Sequence, residues 1–256
     1  MRFLLSRRWL FFAIAVALAA YLATLLGQWQ FHRLENRKSE NHVLAKNLAA
    51  TSLPIDQVMS TTKATTAEDE WQRVTVHGTY DDASTVILKY QTRDGGAGVD
   101  VVTPLVTESG NAVLVDRGWM ATANRGNERP QTPAAATGQV TVTGYVRANA
   151  TGSATAVDDL STRALSSNAL AEHIKHPLYV GFLDLASQVP AATDDLVAVE
   201  LPDDTSEGPH FFYGLQWWFF GALAVFGFFY LMYDEWRRSK TAQEPAVDRQ
   251  HDAGDE

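Results

Sequence analysis

The sequence contains no cysteine. Disulfides, thiolate metal sites and cysteine nucleophiles are excluded together. Positive charge is also scarce: 21 Lys and Arg stand against 30 Asp and Glu, for a formal net charge of −9. That balance argues against a nucleic-acid partner. The glycine-rich "DGGAG" at 94–98 lacks the Lys-Ser/Thr pair and the strand-to-helix setting of a phosphate loop. No nucleophile-elbow motif accompanies the serines. The histidines are His32, His42, His77, His173, His176, His210 and His251. "HIKH" (173–176) sets two imidazoles near one another on a predicted helix, but no carboxylate is tied to it by spacing, and we read it as a solvated face. Asn149-Ala150-Thr151 matches a glycosylation sequon at chance level. With no specific catalytic constellation, we expect the chain not to be an enzyme.

Long charge-free runs are absent too, with two exceptions. Trp9 to Phe31 and Phe211 to Tyr233 carry no ionisable charge. An uncharged helix of about 23 residues, at roughly 1.5 Å per residue, covers a ~30 Å hydrocarbon core. The first run follows Arg2, Arg7 and Arg8 and contains "ALA" at 17–19, so a cleaved secretory signal is the competing reading. The apolar run continues through "AYLATLL", longer than a signal core, which favours an uncleaved anchor. Basic residues before the first run and after the second (Arg237, Arg238, Lys240) predict both termini on the cytoplasmic side. Arg33, Arg37 and Lys38 oppose this weakly, interleaved with Glu35 and Glu40. Asp203, Asp204 and Glu207 fit an outer position before the second run.

The expected organisation is a short cytoplasmic N-terminus (1–8), a first span (9–31), an extracytoplasmic domain (32–210), a second span (211–233) and an acidic, disordered cytoplasmic tail (234–256). Residues 32–50 lack Gly and Pro and read as a helical extension of the first span. Ser52 reads as a cap and Pro54 as the first turn of a short element, and 60–70 as a polar linker. Period-two alternation marks "WQRVTVHGTY" as a strand, and "STVILKYQ" follows it across the turn "DDA". "VDVVTPLV" and "NAVLVDRGWM" read as a hairpin around "TESGN", and "QVTVTGYVR", "PLYVGFLDLA" and "DLVAVEL" as further strands. One short helix falls in 149–176. About seven short strands and few helices predict a compact, mainly β or α+β domain between two transmembrane helices.

The ends of the two runs carry polar and aromatic residues at helical spacing. Gln30, Arg33 and Arg37 recur at i, i+3 and i+7 beside Trp29, and His210, Tyr213, Gly214 and Trp217 share a face. Gln216 lies about one and a half turns inside the second run, where an amide wants a partner. Gly214 and Gly221 permit close approach of another helix or a flat ligand. The Trp and Tyr residues read first as an aromatic belt. His210 has two open readings on these residues alone, a surface residue or an axial ligand for a haem packed against aromatics. Arg33 and Arg37 lie at a level to pair with haem propionates if the spans pack side by side.

The same residues carry a resemblance. "LGQWQFHRLENRK" (26–38) is similar to the opening Gly-x-Trp-Gln-x-x-Arg motif of the surfeit locus protein 1 family, with Gly27, Trp29, Gln30 and Arg33 matching and Arg37 at a basic position. "RVTVHGTY" (73–80), "GVDVVTPL" (98–105) and "VLVDRGWM" (113–120) resemble the family's central strand motifs in order, Met120 and Ala121 departing from its usual Val-Pro ending. "GPHFFYGLQWWFF" resembles the closing His-x-x-Tyr-Ala-x-x-Trp motif: His210, Tyr213 and Trp217 match, Gly214 replaces the alanine, and Gly208 stands where Asn is frequent. Five motifs in order, with two spans, resemble an actinobacterial-looking member. The resemblance implies a membrane assembly factor for haem-copper cytochrome c oxidase. It would assist haem a delivery or insertion into the largest subunit, with that subunit, other assembly factors and membrane lipid as partners. It carries haem a ligation to His210, which would be a metal ligand only through the haem iron, with Tyr213 and Trp217 alongside. The propionate roles of Arg33 and Arg37 are our own expectation. Arg117, in a matched motif, reads as a buried structural arginine at the turn after a strand. The competing functions are an oxidase scaffold that binds no cofactor and a two-span sensor.

Overall fold

The computed structural model describes residues 6–123, 129–202 and 206–241. In chain order the elements are α1 (Arg7–Ala49), β1 (Leu53–Pro54), β2 (Arg73–Tyr80), β3 (Val86–Arg93), β4 (Gly96–Thr107) and β5 (Ala112–Ala121). There follow β6 (Gln139–Arg147), β7 (Ser161–Thr162), α2 (Ser167–Leu170), β8 (Leu178–Val189) and α3 (His210–Thr241). Two units result, one of residues 1–40 with 205–256 and one of 41–204.

The first unit is a pair of long helices. No proline interrupts 7–49 or 210–241, and leucine, alanine and unbroken backbone bonding carry each helix through. Both are long and apolar enough to cross a membrane. They pair antiparallel: Trp9 lies 5.9 Å from Phe228, while Phe31 at the other end lies 6.2 Å from Phe211. A row of covered positions runs along α1 at Trp9, Ala13, Val16, Ala20, Ala23, Gly27, Gln30, Leu34 and Arg37, and along α3 at His210, Gly214, Trp217, Gly221, Ala224 and Phe228. Steps of four and three alternate throughout, the 3.5-residue repeat that keeps two helices in contact along their length. Small residues occupy the middle. A Cβ on Gly27 would stand 2.3 Å from the Trp218 ring, and one on Gly214 2.9 Å from Phe31. The partner that the glycines of α3 admit is therefore α1 itself.

Helix α3 runs past the expected end of the span at 233. Residues 234–241 are helical rather than tail, with an Asp234–Arg238 pair at 3.0 Å and Lys240 over the Trp236 ring at 4.1 Å. The rest of the expected tail (242–256, with His251), Arg2 and the acidic pair 203–204 lie outside the described residues.

The second unit is one mixed sheet in the order β1-β2-β6-β8-β5-β4-β3-β7, with β2 also pairing β4. That extra pairing, Gly78↔Thr107 through Tyr80↔Leu105, closes β2, β6, β8, β5 and β4 into a small barrel. Gly78 makes the closure possible, since a Cβ there would meet the Val106 carbonyl oxygen at 2.4 Å. Inward residues from all five strands fill the barrel, among them Val74, Val76, Leu105, Val113, Val115, Val142 and Leu183. The opposite faces of β4, β5 and β8 pack with Val86, Leu165, Leu170 and Ile174 in a second core. The strand β6 has one wet face and alternates in burial along its length, whereas β5 is buried on both faces and reads as an apolar run.

The structure corrects several expectations. Ser52 is no cap: its hydroxyl bonds Thr75, and Pro54 instead precedes a single 3₁₀ turn at 55–57. The polar stretch 60–70 is irregular and has no buried residue, and the Glu68 and Glu70 carbonyls tie it down by accepting from the Asn47 amide at 2.8 Å. "DLVAVEL" forms only an isolated bridge, Val197 to Trp119. "HIKH" is a turn, and His176 Nδ1 lies 3.1 Å from the Gly110 carbonyl. Two residue-pair strands, β1 and β7, join the sheet without any sequence signature.

Candidate functional site

The candidate site stands at the first residue of α3. Gly208 sits at φ +66°, a conformation that Gly and Asn adopt readily. The Pro209 carbonyl then accepts the opening helical bond from the Tyr213 N–H at 3.1 Å. This turn delivers His210 onto the seam with α1. Its Nδ1 lies 2.9 Å from Oε1 of Gln30, 180 residues away in the chain. The ring is half-buried, and its Cδ2 and Nε2 edge faces Gly208, where a Cβ would stand 3.3 Å from both atoms. Glycine spares that edge a tight side-chain contact.

The other expected site residues divide by face. Trp217 shares the seam with His210, its ring 6.1 Å from Phe220. Tyr213 is exposed to one side of the seam. At about 100° per residue, Trp29 and Arg33 project to that same side of α1, with Arg33 5.3 Å from the Trp29 ring centroid. Arg37 lies on the seam row, its Nε 3.4 Å from the Ser206 carbonyl and a guanidinium nitrogen 4.0 Å from Glu40. The other side carries the rings of Phe31 and Trp218, 4.9 Å apart. From Trp218 inward a groove of about 590 Å³ opens between the helices, lined by Ala20, Gly221 and Ala222 and by Phe226 and Phe229. Gln216 is exposed and, among the described residues, has no hydrogen-bond partner. No group of three or more His, Asp or Glu suited to a bare metal ion occurs among the described residues.

The sequence matches the SURF1 family over residues 17–222. The chain belongs to that family. Uncharacterized SURF1-like proteins of Mycobacterium bovis and of two strains of Mycobacterium tuberculosis are each 29% identical to it over 255 residues, 96% of this chain and 92% of theirs. SURF1 proteins are oxidase assembly factors, and these mycobacterial relatives agree with the actinobacterial character of the motifs.

The SURF1 motifs now take structural form. The opening and closing motifs are the middle of α1 and the start of α3, which meet at Gln30 and His210. The three central ones are β2, β4 and β5, adjacent in the barrel. Arg117 is buried within β5, not at a turn after it. Its guanidinium pairs with Asp194 and donates to the Pro133 and Ala134 carbonyls at 3.1 and 3.0 Å. It pins the 129–135 and 190–198 segments to the barrel, a structural task.

Sequence reasoning missed the aspartates of β4, β5 and β8. Asp100, Asp116 and Asp184 are all buried, and Asp116 pairs in register with Asp184. Burial raises all three, pushing Asp100 to about 6 and Asp116 well above the ordinary range, where the neighbouring Asp100 and Asp184 raise it further. Arg93 pairs with Asp100 at 3.1 Å, and Arg147, stacked 4.0 Å from the Trp71 ring centroid, pairs with Asp184 at 2.8 Å. The Asp116 carboxylate accepts from the Gly118 N–H at 3.0 Å. No spacing announces this group, because three separate strands bring it together.

Proposed function

We propose that this protein is an integral cell-membrane assembly factor for haem-copper cytochrome c oxidase that holds haem a, as cargo, on His210 and passes it to the nascent largest subunit. Both termini are cytoplasmic in this reading and the β unit is extracytoplasmic, following the basic flanks of the two helices. It acts without catalysing a reaction of its own. The observation that carries it is the meeting of the two terminal motifs, which places one imidazole, tied by Nδ1 to Gln30 and met at its Nε2 edge by a residue without a side chain, at the membrane boundary.

The residues fit a haem better than a bare ion. A bare ion needs three or four protein donors, whereas a haem iron already has four nitrogens from its macrocycle and takes an axial imidazole. Trp217 and Tyr213 offer ring surface beside it. Arg33, exposed and without an ion pair among the described residues, suits a propionate; Arg37, already engaged with Ser206 and Glu40, is the second such partner.

The test is an optical spectrum of protein purified from a haem a-producing strain. Wild type should carry the haem a absorbance and His210→Ala should lose it, with a fall in assembled oxidase. An unchanged spectrum and oxidase yield in His210→Ala would sink the ligand role. Co-purification of oxidase subunits without any haem would favour a scaffold instead.

A further inference from the structure

We infer that Gln30 is a positioning residue that locks the tautomer of His210, so that Nε2 is the nitrogen offered to iron. The inference rests on the haem reading above but concerns the chain's own residues. A neutral imidazole carries one proton, on either nitrogen, and the hydrogen bond made by one nitrogen decides the role of the other. Gln30 presents its amide oxygen to Nδ1 at 2.9 Å. An oxygen accepts only, so Nδ1 carries the proton and the lone pair falls on Nε2. In histidine ligands generally, the acceptor behind the ring fixes its orientation and raises its basicity.

Three further features hold the pair. Gln30 and His210 sit on the seam rows of α1 and α3, beside Gly27 and Gly214, where a Cβ on Gly27 would stand 3.2 Å from the Gly214 carbonyl oxygen. The glutamine side chain is half-buried, and water competes weakly for its oxygen at the edge of the apolar layer. Gly208, at φ +66°, lies against the Cδ2–Nε2 edge, where a Cβ would stand 3.3 Å from both atoms. The lock is supplied by one span and the ligand by the other, so the ligating nitrogen is defined only when α1 and α3 are paired.

The experiment is ¹⁵N NMR of the haem-free full chain in detergent with labelled histidine, His210 being assigned by its loss in His210→Ala. Wild type should show the Nδ1–H tautomer, and Gln30→Leu should shift His210 to a mixture of tautomers. Gln30→Glu keeps an acceptor oxygen and should restore the Nδ1–H form. Haem retention in protein from the haem a-producing strain should fall about 10-fold or more in Gln30→Leu and recover in Gln30→Glu. An Nε2–H tautomer in wild type, which is what an inverted Gln30 amide would impose, overturns the lock. So does a wild-type tautomer that Gln30→Leu leaves unchanged. If the tautomers behave as stated while the haem spectrum is indifferent to His210, the haem reading fails and the lock stands.

Discussion

Midway along the helix pair the covered residues are chiefly alanine and glycine, whereas the barrel interior is filled by valine and leucine. The difference follows from the solvent each unit faces. Between two helices in lipid there is no hydrophobic driving force, because acyl chains are as apolar as leucine, and association depends on close approach and interhelical hydrogen bonds. The barrel instead gains about 25 cal/mol for each Å² of apolar surface taken from water, which rewards large buried side chains. Polar groups divide in the same way. The seam of the helix pair holds the Gln30–His210 bond at its rim, while the β unit buries Arg117 and three aspartates among the strands.

The contrast can be broken from either side, and the absence of native cysteine makes the helix pair easy to monitor. An Ala23→Cys/Gly221→Cys double variant should form an intramolecular disulfide on oxidation, since a Cβ on Gly221 lies 3.2 Å from that of Ala23. The largest effect is expected from Arg117→Met. It leaves Asp194 and two carbonyls without their buried donor, at a cost of about 3–5 kcal/mol. Thermal unfolding of the β unit should fall sharply while the cross-link still forms. Gly27→Leu should do the converse: overpacking against Trp218 costs about 1–3 kcal/mol, lowers cross-linking yield and displaces Gln30 from His210, with β-unit melting unchanged.

Asp116→Asn tests the β unit's buried charge through pH. Its folded pKa is raised, so the protonated form is the one the fold favours. The associated stability is complete below the unfolded value of about 3.9 and is lost as pH rises through the folded values, about 6 for Asp100 and higher for Asp116. The variant should therefore melt higher than wild type at pH 8 and nearly with it at pH 4, keeping its acceptor for Gly118. A lower melting point at pH 8 would mean that Asp116 is held as a carboxylate. The smallest effect is expected from Gln216→Leu. An exposed amide without a partner contributes little to the pair, and cross-linking yield should correspond to a change within about 0.5 kcal/mol.

Legibility followed the range of the interactions. Strands β2 and β6 could be read because alternation is local, and β4 and β5 because an apolar run is local. "DLVAVEL" reads as a strand in sequence and is not one: among the described residues its only ladder contact is the bridge of Val197 to Trp119. "HIKH" looked helical, but its backbone is a turn that closes over Gly110. At the site, His210, Tyr213 and Trp217 were found through the motif, whereas the task of Gln30 was not. Its i, i+3 relation to Arg33 suggested a polar face, and only the packing of α3 shows that it faces an imidazole.

What the sequence determined by itself was chemical and local: two charge-free runs within long helices, the strands between them, no thiol chemistry and a family of ordered motifs. Each depends on neighbours within a few residues, or on composition alone. The tertiary structure decided which side chains meet. A heptad row of small residues brings Gln30 to His210 across 180 residues of chain, and barrel closure gathers Asp100, Asp116 and Asp184 from three strands. Those encounters are set by helix pairing and strand register, which no single stretch of the chain specifies.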